Sequence, residues 1–398
     1  MEVRLLPCGL QKGSLMKIGM LSSDWGDYQV SSPGGCTWIR MFGPAAELNN
    51  LGVETVIGEV GWRDEEGFVA VSTQDRLFMK NRGPILNPKN YSGGLDVVIF
   101  KLWMWHQAND YIERAQKMGQ TIIIDIDDWF HGLPTTNIAF QTTHPERDAT
   151  WNRNHMLNTY RYVNGLITST GFLQDYYSKF NDNCYQVYNS LKPDYFIKRY
   201  DAAGRRPTVG WVGIMIWRSG DIEELRGWLG DFLEKYDLRF HHAGINFENP
   251  KEFAEIANIN PDRLTGTPGA SPQNYGHLLM PMDIGIVPLN KLPFNEAKSS
   301  LKGLEYAMSG IPFVAYGSEE YRKLEREGAG NTARKPREWM KQMEKLIDPA
   351  ERKLQADRGY DLVVDKYNIE NVVYLWLETI EKIHATNARR RDARAVLV

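Results

Sequence analysis

Short, unbroken apolar runs recur along the chain, separated by stretches in which hydrophobic residues return every three or four positions. Lys17-Ile-Gly-Met-Leu is the first such run. A polar loop follows from Asp24 to the pair Gly34 and Gly35, then an amphipathic segment through Trp38, Ile39, Phe42, Ala46 and Leu48, then a second run at residues 53–60. Strand, glycine loop, helix, strand is a βαβ unit. Runs at 97–100, 121–126 and 166–169 extend the series. Because these runs are apolar at successive rather than alternate positions, they predict parallel strands covered by helices on both faces.

The pattern restarts after the break Arg205-Arg-Pro207. A strand is expected at 208–212, ending at Gly213, with a polar loop to Asp221, a helix from Ile222 onward and a strand at Phe240-His-His-Ala-Gly244. Asp283-Ile-Gly-Ile-Val-Pro-Leu and Ile311-Pro-Phe-Val-Ala read as two more buried strands flanking a helix. At 398 residues the chain exceeds what one core usually supports. The expected organisation is a Rossmann-like domain at 16–196, a linker at 197–207 and a second Rossmann-like domain at 208–365. Residues 366–398 close the chain as a helix, apolar at Val372, Val373, Trp376, Ile380 and Ile383 and expected over 367–385, and a basic tail, Arg389-Arg-Arg-Asp-Ala-Arg394, expected to be solvated and poorly ordered. Residues 1–15 precede Met16, which can itself be an initiator, and form an extension.

Charge and cysteine content narrow the setting. A net charge of -3 gives no global drive toward nucleic acid. The cysteines, Cys8, Cys36 and Cys184, are odd in number and far apart, which argues against a disulfide framework or a cysteine zinc site and fits a reducing cytoplasm. No apolar run reaches the roughly 18 residues of a membrane span, so no integral membrane segment is expected.

Candidate chemistry concentrates in Phe294-Asn-Glu-Ala-Lys298-Ser-Ser-Leu-Lys302-Gly-Leu-Glu305. A helix beginning near Ser299 or Ser300, whose hydroxyls can cap its free N–H groups, carries Lys298 and Lys302 around its positive end. That is an anion site. Glu305 falls about two turns beyond Lys298, on or near the same face. A phosphate at the helix start and a hydroxyl-rich group on the carboxylate further along is the layout that grips a sugar nucleotide.

The run resembles the donor-site helix of retaining GT-B glycosyltransferases, in which two glutamates stand eight positions apart and the second opens a Glu-Ala-Met-Ala-like segment before Gly-x-Pro. Glu305-Tyr-Ala-Met-Ser-Gly-Ile-Pro matches the second half. The first half departs, with Ala297 in the first glutamate's place and Glu296 or Asn295 as the candidate sugar contact. The Asn-x-x-Lys-Ser-x-x-Lys-x-x-Glu-Tyr form is similar to one in bacterial and bacteriophage-encoded members. Gly34-Gly35, Ile167-Thr-Ser-Thr, the segment Tyr188-Asn189-Ser-Leu-Lys-Pro-Asp194 and Gly210-Trp-Val-Gly213 followed by Arg218 occur in the family's order, so the resemblance spans most of residues 16–385.

The resemblance implies an α/β fold of the GT-B type, two facing Rossmann-like domains with parallel sheets and a C-terminal crossover helix. It implies a hexosyl- or pentosyltransferase that moves sugar from a UDP- or GDP-sugar to an acceptor hydroxyl with retention of configuration. The acceptor is a glycan, a protein, a small molecule or, in bacteriophages, a modified DNA base. Lys298, Arg218 and the helix start Ser299, Ser300 and Leu301 would take the diphosphate, Glu305 the ribose, and Gly34, Gly35 and Gly213 would border the donor. Without that context Arg218 is a surface arginine in a turn. No metal or other cofactor is expected, since cations and helix N–H groups can stabilise the leaving diphosphate.

A rival centre lies at Ile122-Ile-Ile-Asp125-Ile-Asp127-Asp128-Trp-Phe-His131. Carboxylates at the C-terminal end of a buried parallel strand point into the crevice where α/β sheets bind ligands, and such clusters suit Mg²⁺. The run resembles the first motif of haloacid-dehalogenase-type phosphatases, although Trp129 replaces the usual threonine, and also the Asp-x-Asp of GT-A glycosyltransferases. In the GT-B reading Asp127, Asp128 and His131 face the acceptor or the transferring sugar, one of them serving as a local base. A purely structural role in capping loop N–H groups remains the plain alternative, as does a non-catalytic carbohydrate-binding protein for the chain as a whole. Trp25, Trp38, Trp103, Trp105 and Trp129 crowd the first domain's loops and strand ends, where aromatic faces stack on sugars or fill a core. His241 and His242, adjacent on a strand, cannot both face one ligand.

Overall fold

The computed structural model describes residues 16–22, 35–61, 69–72, 85–86, 94–101, 112–113, 115–137, 140, 144, 159–199, 206–214, 220–244 and 250–395. The extension at 1–15, Gly34 and Arg218 lie outside the described residues. The first sheet contains β1 (Ile18–Ser22), β2 (Thr55–Gly61), β3 (Val69–Ser72), β4 (Ile85–Leu86), β5 (Val97–Lys101), β6 (Thr121–Ile126), β7 (Gly165–Thr168) and β8 (Cys184–Gln186). Their order is β4-β3-β2-β1-β5-β6-β7-β8. From β2 to β8 all pairings are parallel. β3 and β4 join antiparallel beyond β2. These strands are only four and two residues long, too short to give a periodic signal, which is why the hydrophobic pattern passes over them.

β1, β5 and β6 are buried at every position. Side chains alternate between faces. Ile123, Ile99 and Met20 meet the Gly43–Asn50 helix and Val372, Trp376, Ile380 and Ile383 from the end of the chain. On the other face Ile122, Ile124 and Ile126 pack with Tyr160, Leu173 and Tyr177. The crossover expected of the C-terminal helix is therefore present: Ile369–Ala395 covers one face of the first sheet.

The second sheet contains β9 (Thr208–Val212), β10 (Arg239–Gly244), β11 (Leu264–Pro268), β12 (Ile284–Val287), β13 (Phe313–Tyr316) and β14 (Asn331–Ala333). All its pairings are parallel, in the order β11-β10-β9-β12-β13-β14. The order reverses between β9 and β12 here, and between β1 and β5 in the first sheet. Such reversals open crevices at the C-terminal strand ends.

Two local expectations are corrected. The helix expected from Ile222 is a single turn at Glu223–Leu225, because Gly227 adopts a left-handed conformation (φ 88°) and the helix proper is Leu229–Lys235. The basic tail is not irregular: backbone helix continues to Ala395. Alanine and arginine are strong helix formers, and no glycine or proline interrupts that segment. Among the described residues no helix is long and apolar enough to cross a membrane.

Candidate functional site

After β12 the chain makes a helical turn at Pro293–Glu296 and then the Leu301–Met308 helix. Ser300 occupies the N-cap position, but its hydroxyl makes no capping bond. The Ser299 hydroxyl instead accepts a hydrogen bond from Asn189 Nδ2 of the first domain at 2.9 Å. Neither serine therefore caps the helix as the sequence suggested. Glu305 is buried, and its Oε2 accepts from the Tyr275 hydroxyl at 2.6 Å, with Lys302 Nζ 3.7 Å away. Leu301 packs against the second core.

The two candidates for the sugar contact have different surroundings. Asn295 is buried, and its amide donates to Asn290 Oδ1 (2.7 Å), Asn290 O (3.1 Å) and Asp221 Oδ1 (3.3 Å). Asp221 also accepts from the Asn290 backbone N–H at 2.8 Å. This network ties the loop after β9 to the loop after β12, directly above the strand reversal. Glu296 is partly exposed and accepts from the Tyr316 hydroxyl at 2.9 Å and from Arg334 Nη2 at 3.1 Å. Gly213 directly follows β9, its carbonyl accepting from His242 Nε2 at 3.0 Å. The Trp211 ring lies 2.6 Å from where a Cβ would stand, so the packing there requires glycine.

In the first domain the carboxylates at and just after the end of β6 take different close partners. Asp125 is fully buried, with Oδ1 2.5 Å from Arg40 Nη2 and Oδ2 3.1 Å from Arg40 Nε. Arg40 also donates to Val187 O (2.6 Å) and Asn189 Oδ1 (3.2 Å), and lies over the Trp376 ring. With both oxygens engaged, Asp125 is a structural anchor rather than a nucleophile. Asp127 sits 3.6 Å from buried Lys101. Burial pushes its carboxyl up, but Lys101, Arg40 and the Cys36 thiol outweigh that and hold it below the usual range. Cys36 follows Gly35, so this places the first glycine loop beside Asp127. The His131 ring packs 5.4, 6.0 and 6.2 Å from the rings of Tyr176, Tyr177 and Phe180. Trp129 lies edge-on to Phe172 and Tyr176.

Asp128 reaches the second domain: its Oδ1 is 3.4 Å from Lys298 Nζ. Close by, Thr170 Oγ1 donates to Ala297 O at 3.1 Å and the Gly171 N–H donates to Glu320 Oε1 at 3.3 Å. The start of the Leu301–Met308 helix is thus seamed to the first domain through its own approach segment. The histidines of β10 belong to the core: His241 bonds Thr265 and Thr267 (2.9 and 3.1 Å), and burial holds both imidazoles down to about 4.

Compared by sequence, the chain matches no protein-family model and no curated protein. Compared by structure, it is similar to sucrose-phosphate synthase from Thermosynechococcus elongatus, with TM-score 0.63, 12% identity, and coverage of 93% of this chain and 100% of that one. HepE from Anabaena gives TM-score 0.61, 12% identity, and coverage of 92% and 100%. A glycosyltransferase from Rickettsia africae gives TM-score 0.61, 12% identity, and coverage of 92% and 98%. The fold is GT-B.

A GT-B arrangement sets the C-terminal strand ends of two sheets against one another, and here Lys298 and Asp128 meet at that seam. Sequence reading missed Arg40, Lys101 and Tyr275. Lys101 carried a usable signal, since it directly follows a buried run and so falls at a strand's C-terminal end. Tyr275 and Arg40 carried none that is local, because their partners stand 30 and 85 positions away.

Proposed function

We propose that the chain is a glycosyltransferase that moves a sugar from a nucleoside-diphosphate donor to an acceptor hydroxyl. The observation that carries this reading is the Leu301–Met308 helix, with the Lys298 ammonium at its approach and the buried Glu305 carboxylate further along. Lys298, the helix start and Arg218 take the diphosphate, and Glu305 takes the ribose hydroxyls in place of the Tyr275 hydroxyl. Glu296, more exposed than Asn295, takes the sugar. Support for a uridine nucleotide comes from HepE, which was solved with UDP and glucose and with UDP-glucose. Asp128, with Asp127 behind it, receives the acceptor hydroxyl, while His131 stays in its aromatic nest.

Rate enhancement in this reading comes from holding donor and acceptor together and from cations that bind the departing diphosphate more tightly as its charge grows. Transfer proceeds with retention: the diphosphate oxygen freed by bond cleavage takes the acceptor proton on the same face of the sugar. Lysine and arginine carry the charge balance without a divalent ion, and the setting is a reducing cytoplasm. The test is a thermal-shift screen of UDP-, GDP- and other nucleotide sugars, followed by transfer assays in excess EDTA and assignment of the product anomer by NMR. A donor at 100 times its dissociation constant should stabilise the chain by about 2.7 kcal/mol. A chain that no nucleoside diphosphate stabilises is not a donor-binding enzyme, and activity abolished by EDTA but restored by Mg²⁺ would remove the metal-free mechanism.

A further inference from the structure

We propose that Phe294 is a positioning residue for the donor diphosphate, fixing the Lys298 ammonium from inside the first domain's core. The inference rests on the donor reading above. By chain order Phe294 belongs to the second domain, since it follows β12. Its side chain is nevertheless 5% exposed and packs, with Ala297, in the first domain's cluster around Phe100, Ile126, Phe130 and Leu173. Lys298 Nζ lies 4.4 Å from the centroid of the Phe294 ring and 3.4 Å from Asp128 Oδ1. The ammonium is therefore bracketed by an aromatic face and a carboxylate, both held by the first domain.

The two sides of the bracket act differently on an incoming anion. Asp128 is a counter-charge and competes with a diphosphate for the ammonium. The ring attracts the ammonium through its quadrupole and leaves the full positive charge available. Phe294 can hence hold Lys298 both before and after the donor arrives, whereas Asp128 must give way. Lysine otherwise carries a flexible four-carbon stem, so restricting its head removes an ordering cost from binding. The backbone on either side is pinned as well, by Thr170 on Ala297 O and Asn189 on Ser299 Oγ. Through this side chain, which does not touch the donor, the first domain contributes to donor affinity.

Calorimetry with UDP on the full chain tests it, using wild type, Phe294→Leu, Lys298→Met and the double variant. Phe294→Leu keeps an apolar group in the cluster but removes the ring face. It should weaken UDP roughly three- to thirty-fold, the span of a partly desolvated cation–π contact. In the Lys298→Met background the same change should have no further effect. Phe294→Met, which fills the cluster with a flexible apolar chain, should show the same dependence on Lys298 and guards against a folding defect in the leucine variant. Wild-type UDP affinity in Phe294→Leu, or an equal loss in both backgrounds, overturns the proposal by showing that Phe294 only packs. Failure of the wild-type chain to bind UDP or any other nucleoside diphosphate is a different outcome, which removes the donor reading and this inference with it.

Discussion

Glu305 already has partners before any ligand arrives, one from the Tyr275 hydroxyl and one from Lys302. Both keep a buried carboxylate from standing unpaired, and both are polar groups that a ribose hydroxyl can replace. Glu305→Ala should therefore weaken UDP binding by about 1.5–3 kcal/mol, the range for hydrogen bonds to a charged group. Wild-type affinity for that variant in calorimetry would take Glu305 out of the site. Lys298 and Glu305 were legible in the sequence because they stand seven positions apart in one short segment, although Lys298 lies before the helix rather than on it. Arg40 was not: a single arginine among Trp38, Ile39 and Phe42 looks like the solvated side of a helix. Only the fold shows that Asp125, Val187, Asn189 and Trp376 surround it.

Strand β10 carries its own record of how burial sets chemistry. His241 and His242 are both held to about 4, mainly by burial, with His242 adding to the effect on His241 and the Gly213 carbonyl opposing it on His242. In the unfolded chain these imidazoles titrate near 6.5. Above that pH neither state binds the proton and their contribution is fully present. As pH falls from 6.5 toward 4 the unfolded chain takes up protons that the folded chain refuses, so stability is lost over that window. The thermal midpoint should drop accordingly, and a His241→Asn, His242→Gln double variant should drop less steeply. A slope equal to that of wild type would show that other groups govern the acid limb. β9 and β12 were legible for the same reason the histidines are silenced, namely burial at every position, whereas β11, half-buried or exposed along its length, was not. β3 and β4, four and two residues long, are too short to be picked out by pattern, and the seam formed by 293–299 was illegible because its apolar residues, Phe294 and Ala297, pack into the other domain.

The whole molecule depends on its last helix. Leu191 and the turn at 367–369 exchange backbone hydrogen bonds at 2.9 Å, from the Leu191 N–H to Tyr367 O and from the Ile369 N–H to Leu191 O. The Ile369–Ala395 helix then runs along the first sheet, close enough that Ile383 lies 2.7 Å from where a Cβ on Gly165 would stand. Thr121 bonds His384 at 2.8 Å and Asn164 donates to Asn387 at 2.7 Å. Val372, Val373, Trp376, Ile380 and Ile383 are almost fully buried in this contact. Burial of one such side chain is worth about 1.5–3 kcal/mol, so together they rival the roughly 5–15 kcal/mol that holds a whole domain folded. A chain ending at Tyr367 should thus lose the first domain selectively. Hydrogen exchange should show β1, β5 and β6 unprotected while β9, β12 and β13, whose core needs nothing beyond Tyr367, stay protected. Adding back a peptide of residues 368–398 should restore protection to β1 and β5. Full protection of those strands in the truncated chain would mean that the first domain stands without its cover, and the crossover helix would then be an accessory to the fold rather than a part of its core.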